Sequence, residues 1–179
     1  TMTFTGGGLT TAPVTHTTNA SCVVVIKPDG TLNSPAFLET ILPGESVLFP
    51  YTVTNAGNVV NDFLLETALS NNNISPTVSL VVDSNSNGVV DAGETPISQL
   101  DDVASSETVN LLLVVETPSD TTLSGNAFIN VIGRCAGDPS IDDDDNISQV
   151  TIPNGGITGL TKSSDPVPDS VLYPSATVR

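Results

Sequence analysis

Pro43-Gly44-Glu45-Ser46-Val47-Leu48-Phe49-Pro50-Tyr51-Thr52-Val53-Thr54-Asn55-Ala56-Gly57-Asn58 is the stretch on which the fold turns. Val47, Phe49, Tyr51 and Val53 recur at every second position, the spacing of a strand with one buried face. Pro43-Gly44 punctuates its start, and Asn55-Ala56-Gly57-Asn58 reads as a turn. Val59 to Leu65 follows as a second strand, so the two together predict a hairpin. Pro50 carries no N–H, which predicts an edge position or a bulge there.

Outward from this stretch the same period returns. Cys22 to Lys27 is rich in β-branched residues. Val78 to Val82, Val109 to Val115, Ala127 to Val131 and Asn146 to Ile152 are further strands. Leu38 to Leu42 is the least decided segment, and no sustained helical period stands out. Strands with frequent turns predict an all-β, immunoglobulin-like β-sandwich of about 7–9 strands. There is no tryptophan, so an antibody-type core built on that residue is excluded. Residues 21–153 form the expected domain. Residues 1–20 read as an extended Thr/Gly-rich arm, in which Met2 and Phe4 alternate with threonines. Residues 154–179, with Pro166, Pro168 and Pro174, read as an extended tail or linker.

Acidic residues number 20 against 4 basic ones, for a net charge of −16. Such a balance opposes nucleic acid and anionic lipid and favours cations. No apolar run is long enough for a membrane span, so no membrane insertion is expected. No signal peptide is visible and the chain opens on Thr1, which reads as a mature or excised piece.

Asp83-Ser84-Asn85-Ser86-Asn87-Gly88-Val89-Val90-Asp91-Ala92-Gly93-Glu94 carries the clearest chemistry. Oxygen donors fall at positions 1, 3, 5, 9 and 12 of a twelve-residue loop, with glycine at position 6. Asp83, Asn85, Asn87, Asp91 and Glu94 would offer side-chain oxygens to Ca²⁺, and Val89 its carbonyl. The strand before the loop and Pro96 after it leave no room for the two helices of an EF-hand. The cation is therefore expected to stiffen the loop rather than to trigger a switch.

Cys22 and Cys135 are expected to pair as a disulfide in an exported domain; two unpaired thiols are the alternative. The acidic run Asp142 to Asp145 reads as a solvated loop or as a second cation site. Asp101-Asp102 reads as a turn. Lys27 and Asn130 are candidates for an intramolecular amide crosslink, set against an ordinary exposed lysine. Asn19, Asn73 and Asn146 each open an Asn-x-Ser glycan acceptor pattern. His16 is the one histidine, and it lies in the arm. A catalytic triad or a zinc site is therefore short of groups, and no enzyme is expected.

The Pro43-Gly44-Glu45 turn and the strand closing on Thr54-Asn55-Ala56-Gly57-Asn58 resemble the conserved repeat domain of large bacterial and archaeal surface proteins. The Asp83–Glu94 loop, followed by Thr95-Pro96-Ile97, resembles that of the B domains of staphylococcal serine-aspartate repeat proteins. The resemblance implies an immunoglobulin-like extracellular module stiffened by calcium. The expectation is a structural protein of the cell surface, a self-associating subunit of a fibre, pilus or surface layer. The Met2/Phe4 arm would then supply a strand to a neighbour. The alternative is an adhesion or spacer module of a larger surface protein.

Overall fold

The computed structural model describes residues 19–154; the Met2/Phe4 arm, His16 and the chain beyond Asn154 lie outside the described residues. Eleven strands make up the domain, in chain order β1 Val24–Lys27, β2 Leu38–Thr40, β3 Ser46–Asn55, β4 Asn61–Ser70, β5 Thr77–Val82, β6 Pro96–Ile97, β7 Gln99–Val103, β8 Thr108–Glu116, β9 Gly125–Cys135, β10 Asp138–Asp143 and β11 Ile147–Ile152. No helix occurs among the described residues, and so none is long and apolar enough to cross a membrane. One sheet runs β1-β3-β8-β5-β6 and the other β2-β11-β9-β4-β7, with β10 continuing beside β9. The protein is an all-β, immunoglobulin-like sandwich.

Alternation decides what lies between the sheets. Phe49, Tyr51 and Val53 of β3 point inward with Leu111, Leu113 and Val115 of β8. They meet Phe63 and Leu65 of β4, Ala127, Ile129 and Val131 of β9, and Val150 and Ile152 of β11. Burial of such side chains contributes roughly 1.5–3 kcal/mol each before chain entropy is counted. In place of a tryptophan, Tyr51 is the largest of the fully buried residues. Phe37 stacks on Phe49 at 5.3 Å and meets Tyr51 edge-on at 5.5 Å, closing the core along one side.

The hairpin expected from Val47 to Leu65 does not form. β3 pairs with β1 and β8, whereas β4 pairs with β9 and β7 in the opposite sheet. The Asn55–Val60 connection is an arch from one sheet to the other. Asn55 is fully buried and shapes this arch. Its amide nitrogen donates to the carbonyls of Val59 and Val103, both at 2.8 Å, and its oxygen accepts from Gly57 N at 2.9 Å. Gly57 is required by proximity, since a Cβ there would stand 2.3 Å from the carbonyl oxygen of Ser21. Asn58 then holds the incoming chain: its oxygen accepts from Ser21 N at 2.7 Å and its nitrogen donates to Asn19 O at 2.8 Å. Each polar residue of the Asn-x-Gly-Asn motif thus serves the crossover rather than a two-strand turn.

Pro50 behaves as an edge residue inside an inner strand. The bond from Ala56 N to Val23 O sets the phase in which Ala56, Thr54, Thr52 and Pro50 face β1. The last pair is Lys27 with Thr52, so Pro50 stands one step past the end of β1, where a donor would have no partner. Asp101 and Asp102, expected in a turn, belong to β7, where the register with β4 slips and Asp102 takes φ 54°. β2, β6, β7 and β10 are the strands absent from the sequence reading, being short, bulged or charged.

Cys22 and Cys135 are joined, with Cα atoms 6.2 Å apart. The bond ties the incoming chain to the end of β9 and so links the sheets covalently. A second link is polar. The Tyr51 hydroxyl donates to Asn146 O at 3.0 Å and shares a 2.5 Å hydrogen bond with the Ser148 hydroxyl.

Burial pushes the Tyr51 phenol up to about 12, against a smaller opposing effect of its bond to Ser148. The neutral form is therefore the one the fold retains. Its contribution is intact below the ordinary tyrosine range near 10 and is lost as pH rises toward 12. In a Tyr173→Phe variant, which leaves Tyr51 as the single tyrosine, ultraviolet titration is expected to show no phenolate near pH 10. Ionisation should coincide with the loss of circular-dichroism signal. Asn55→Ala is expected to cost about 2–4 kcal/mol in urea melts, because the buried Val103 carbonyl loses its donor and the buried Gly57 N–H its acceptor.

Candidate metal centre

The Asp83–Glu94 loop leaves β5 at its last sheet bond, Asp83 N to Asn110 O at 3.0 Å. Asp83 remains buried, and its carboxylate acts as the hub of the first half. It accepts from Asn87 N at 3.0 Å and from Gly88 N at 2.9 Å. Asn85 Oδ1 accepts from Asn87 N at 3.1 Å, and Asn87 Oδ1 from Val89 N at 2.9 Å. This chain of side-chain-to-backbone turns coils the backbone around its own oxygens. Gly88 has φ +76° with open space where a Cβ would be, so conformation rather than crowding selects glycine.

Glu94 closes the ring. One oxygen accepts from Ser84 N at 2.9 Å and from the Ser84 hydroxyl at 2.8 Å; the other accepts from Asp91 N at 2.9 Å. The Asp91 bond first, then those from Ser84, hold the Glu94 carboxyl below the usual range. Closure by Glu94 is thus present above that range and lost as pH falls through the lowered value. Asn110 of β8 donates to Ser86 Oγ at 2.7 Å and pins the loop to the sheet. Ser84 and Asn110 shape the loop, and the sequence reading missed them. Asn110 did leave a signal, a polar residue inside the run Val109 to Val115.

The loop returns over the outer face of the sheet. There Val81 and Leu112 are almost wholly buried although they lie outside the main core. Val89 and Val90 from the loop, with Leu48, Val81 and Val114 from the strands, border a groove of about 500 Å³. Loop shape and burial on this face are therefore coupled.

Of the six residues expected to hold calcium, five bring side-chain oxygens into this one ring. The donor set is hard: three carboxylates and two amides, with no sulfur and no imidazole. Asp91 Oδ2 is met by the amide nitrogens of Asn85 at 2.7 Å and Asn87 at 2.8 Å. These two donors stand where a positive charge would neutralise Asp91. The oxygens of both amides accept backbone N–H groups and each keeps a second lone pair, so the donor types fit Ca²⁺ without an amide turning over. Among the described residues no three His, Cys, Asp or Glu side chains gather as a metal-binding group, and the loop depends on its amides for a full set.

The other candidate sites resolve individually. Asp143 is not part of a solvated loop: it accepts from Ile26 N at 2.9 Å and from Asn146 Nδ2 at 2.6 Å, joining the two sheets. Asp142 pairs with Arg134. Burial first, then the charges of Asp29 and Asp143, raise the Asp145 carboxyl. Lys27 bonds to Asp29, while the Asn130 amide serves Asp144 and Asn146, so the structure does not bring Lys27 and Asn130 together. Asn146 is fully buried and closed to glycosylation in the folded protein, whereas Asn19 and Asn73 are exposed.

No family model matches the chain, and no curated protein does. Among solved structures, a family 123 glycoside hydrolase from Clostridium perfringens aligns at 10% identity and TM-score 0.48, over 76% of this chain and 28% of the hydrolase. The PapD-like domain 7 of human CEP192 aligns at 13% identity and TM-score 0.41, over 83% and 96% of the two chains. A FixG-related protein from Vibrio parahaemolyticus aligns at 16% and 0.41, over 74% and 95%. This chain thus spans less than a third of the hydrolase.

Asp91→Asn keeps an acceptor for both amides but removes the charge. Its melting temperature in chelator is expected to stay within about 0.5 kcal/mol of the parent's in free-energy terms. Glu94→Ala should lower the melting temperature below that of Asp91→Asn, through loss of the bonds that close the ring.

Proposed function

We propose that this domain is a rigid spacer module of an extracellular or cell-surface protein, stiffened by Ca²⁺ at the Asp83–Glu94 loop and locked by its disulfide. The observation that carries the reading is the position of the two ends. The chain enters beside Cys135, at one end of β9, and leaves at Ile152, which pairs with Gly125 at the other end. A domain entered at one end and left at the other extends a chain in series. The disulfide suits an oxidising compartment, and oxygen-only sites suit the calcium levels found outside cells.

The fibre or surface-layer reading depends on strand exchange by the Met2/Phe4 arm, which lies outside the described residues. The sheet edges favour a spacer instead. β6 has two residues and begins with proline, β2 has three, β7 is bulged and carries Asp101 and Asp102, and Pro50 removes a donor beyond β1. Such devices oppose edge-to-edge pairing. The module would serve no catalytic role. Adhesive partners, if any, would meet its loops.

Antibody to the folded domain should label intact source cells, and labelling only after permeabilisation would overturn the proposal. Filaments of the purified chain in electron micrographs would favour assembly over spacing. Calcium at tenfold its Kd is expected to add about 1.4 kcal/mol, read as a rise of about 3–6 °C in Tm that chelator reverses. Asp91→Asn should abolish that rise, and a Tm indifferent to calcium would remove the metal from the proposal.

A further inference from the structure

The disulfide and the exit strand together define which part of the domain can be stretched. The covalent path runs from residues 19–22 through the Cys22–Cys135 bond and along residues 136–152 to the exit. Everything between the cysteines, a separation of 113 residues, hangs from that path as a closed ring. Tension applied at the two chain ends reaches it only through its contacts with β10 and β11 and cannot lengthen it. That ring contains β1 to β9 and nearly the whole core.

We infer that the domain is a mechanical limiter, in which only β10 and β11 can be drawn out. The inference rests on the spacer reading for its biological setting, while its geometry stands independently. β9 is held at Cys135, and β11 is pulled at Ile152 from the opposite end of the sandwich. The two are antiparallel neighbours over six residue pairs, from Ile147 with Asn130 to Ile152 with Gly125. The load lies along the strands, so these pairs are sheared together rather than opened one by one. β2 grips the other side of β11 through Gln149, Val150 and Thr151. Ser148, Val150 and Ile152 are buried beneath, and Ser148 bonds to the Tyr51 hydroxyl. Detaching β11 therefore breaks two ladders and opens the core in one event.

The extension that follows is short. Residues 136–152 reach at most roughly 60 Å when drawn straight. Folded, they already bridge the length of β9, roughly 33 Å at strand rise. The gain is about 25 Å, and the ring remains as a template on which β11 can dock again. With the disulfide reduced, the extensible segment becomes residues 22–152, and the gain becomes about 400 Å by the same arithmetic. One bond thus changes the extensible length by more than tenfold.

The test is single-molecule pulling of the full chain between handles fused at its two ends. In oxidising buffer the expected unfolding step is about 25 Å, with rapid recovery on relaxation. Reductant added to the same folded molecules should lengthen the step to about 400 Å. The Cys22→Ser/Cys135→Ser variant should match the reduced protein, and the reductant experiment stands on its own if that variant does not fold. Steps of hundreds of ångströms in oxidised protein, or equal steps in both redox states, would overturn the inference. Such a failure would leave the surface location to the antibody test, and a failure of surface labelling would leave the step lengths untouched.

Discussion

The hydroxyl of Tyr51 is the point on which the two sheets agree. Its ring rises from β3 through the full thickness of the core, and its oxygen meets Asn146 O and the Ser148 hydroxyl in the opposite sheet. A buried phenol without partners would cost several kilocalories, so sheet separation and register are tied to this one contact. The consequences spread through Asn146. Its amide donates to Val131 O at 3.1 Å on β9 and to Asp143 at 2.6 Å, and Asp143 accepts from Ile26 N on β1. A run of polar bonds therefore passes from β3 to Asn146 at the start of β11, on to β9, and through Asp143 of β10 back to β1. Phe37 closes over Tyr51 and Phe49, keeping water from the run.

Much of this was legible in the chain, and the reason is local. Alternation at Val47 to Val53 marks a strand with one buried face, and the continuous apolar run Leu111 to Val115 marks one buried on both. The Asp83–Glu94 ring was legible for the same reason: its oxygens bond to backbone groups two to ten residues away. What was not legible is long-range. Whether Asn55 turns a hairpin or an arch is decided by Val103 O, and nothing near Asn55 in sequence reveals that partner. β7 and β10 are polar strands, recruited by neighbours rather than by their own apolar pattern. Asp143 looked like one more solvated acid because its partner, Ile26 N, lies 117 residues away.

Charge and edges have a common logic here. With 20 acidic residues and 4 basic ones, copies of the chain repel each other. The sheets add short, bulged or proline-blunted margins. On the β3-β8-β5 side an apolar outer surface is bordered by the oxygen-lined loop, whose Val89 and Val90 line the groove there. The loop proposed to take a cation therefore also borders the apolar face beside it.

The place of β11 has a consequence for how the domain comes into being. It is the last of the described strands, yet it lies between β2 and β9, and it carries Ser148 for Tyr51. A chain emerging from the ribosome has β2 without its partner, and the core phenol without its bonds, until residue 152 is out. Closing so distant a pairing is slow. The sandwich therefore stays open until β11 itself has been made, and closes in one late event when that strand enters between β2 and β9.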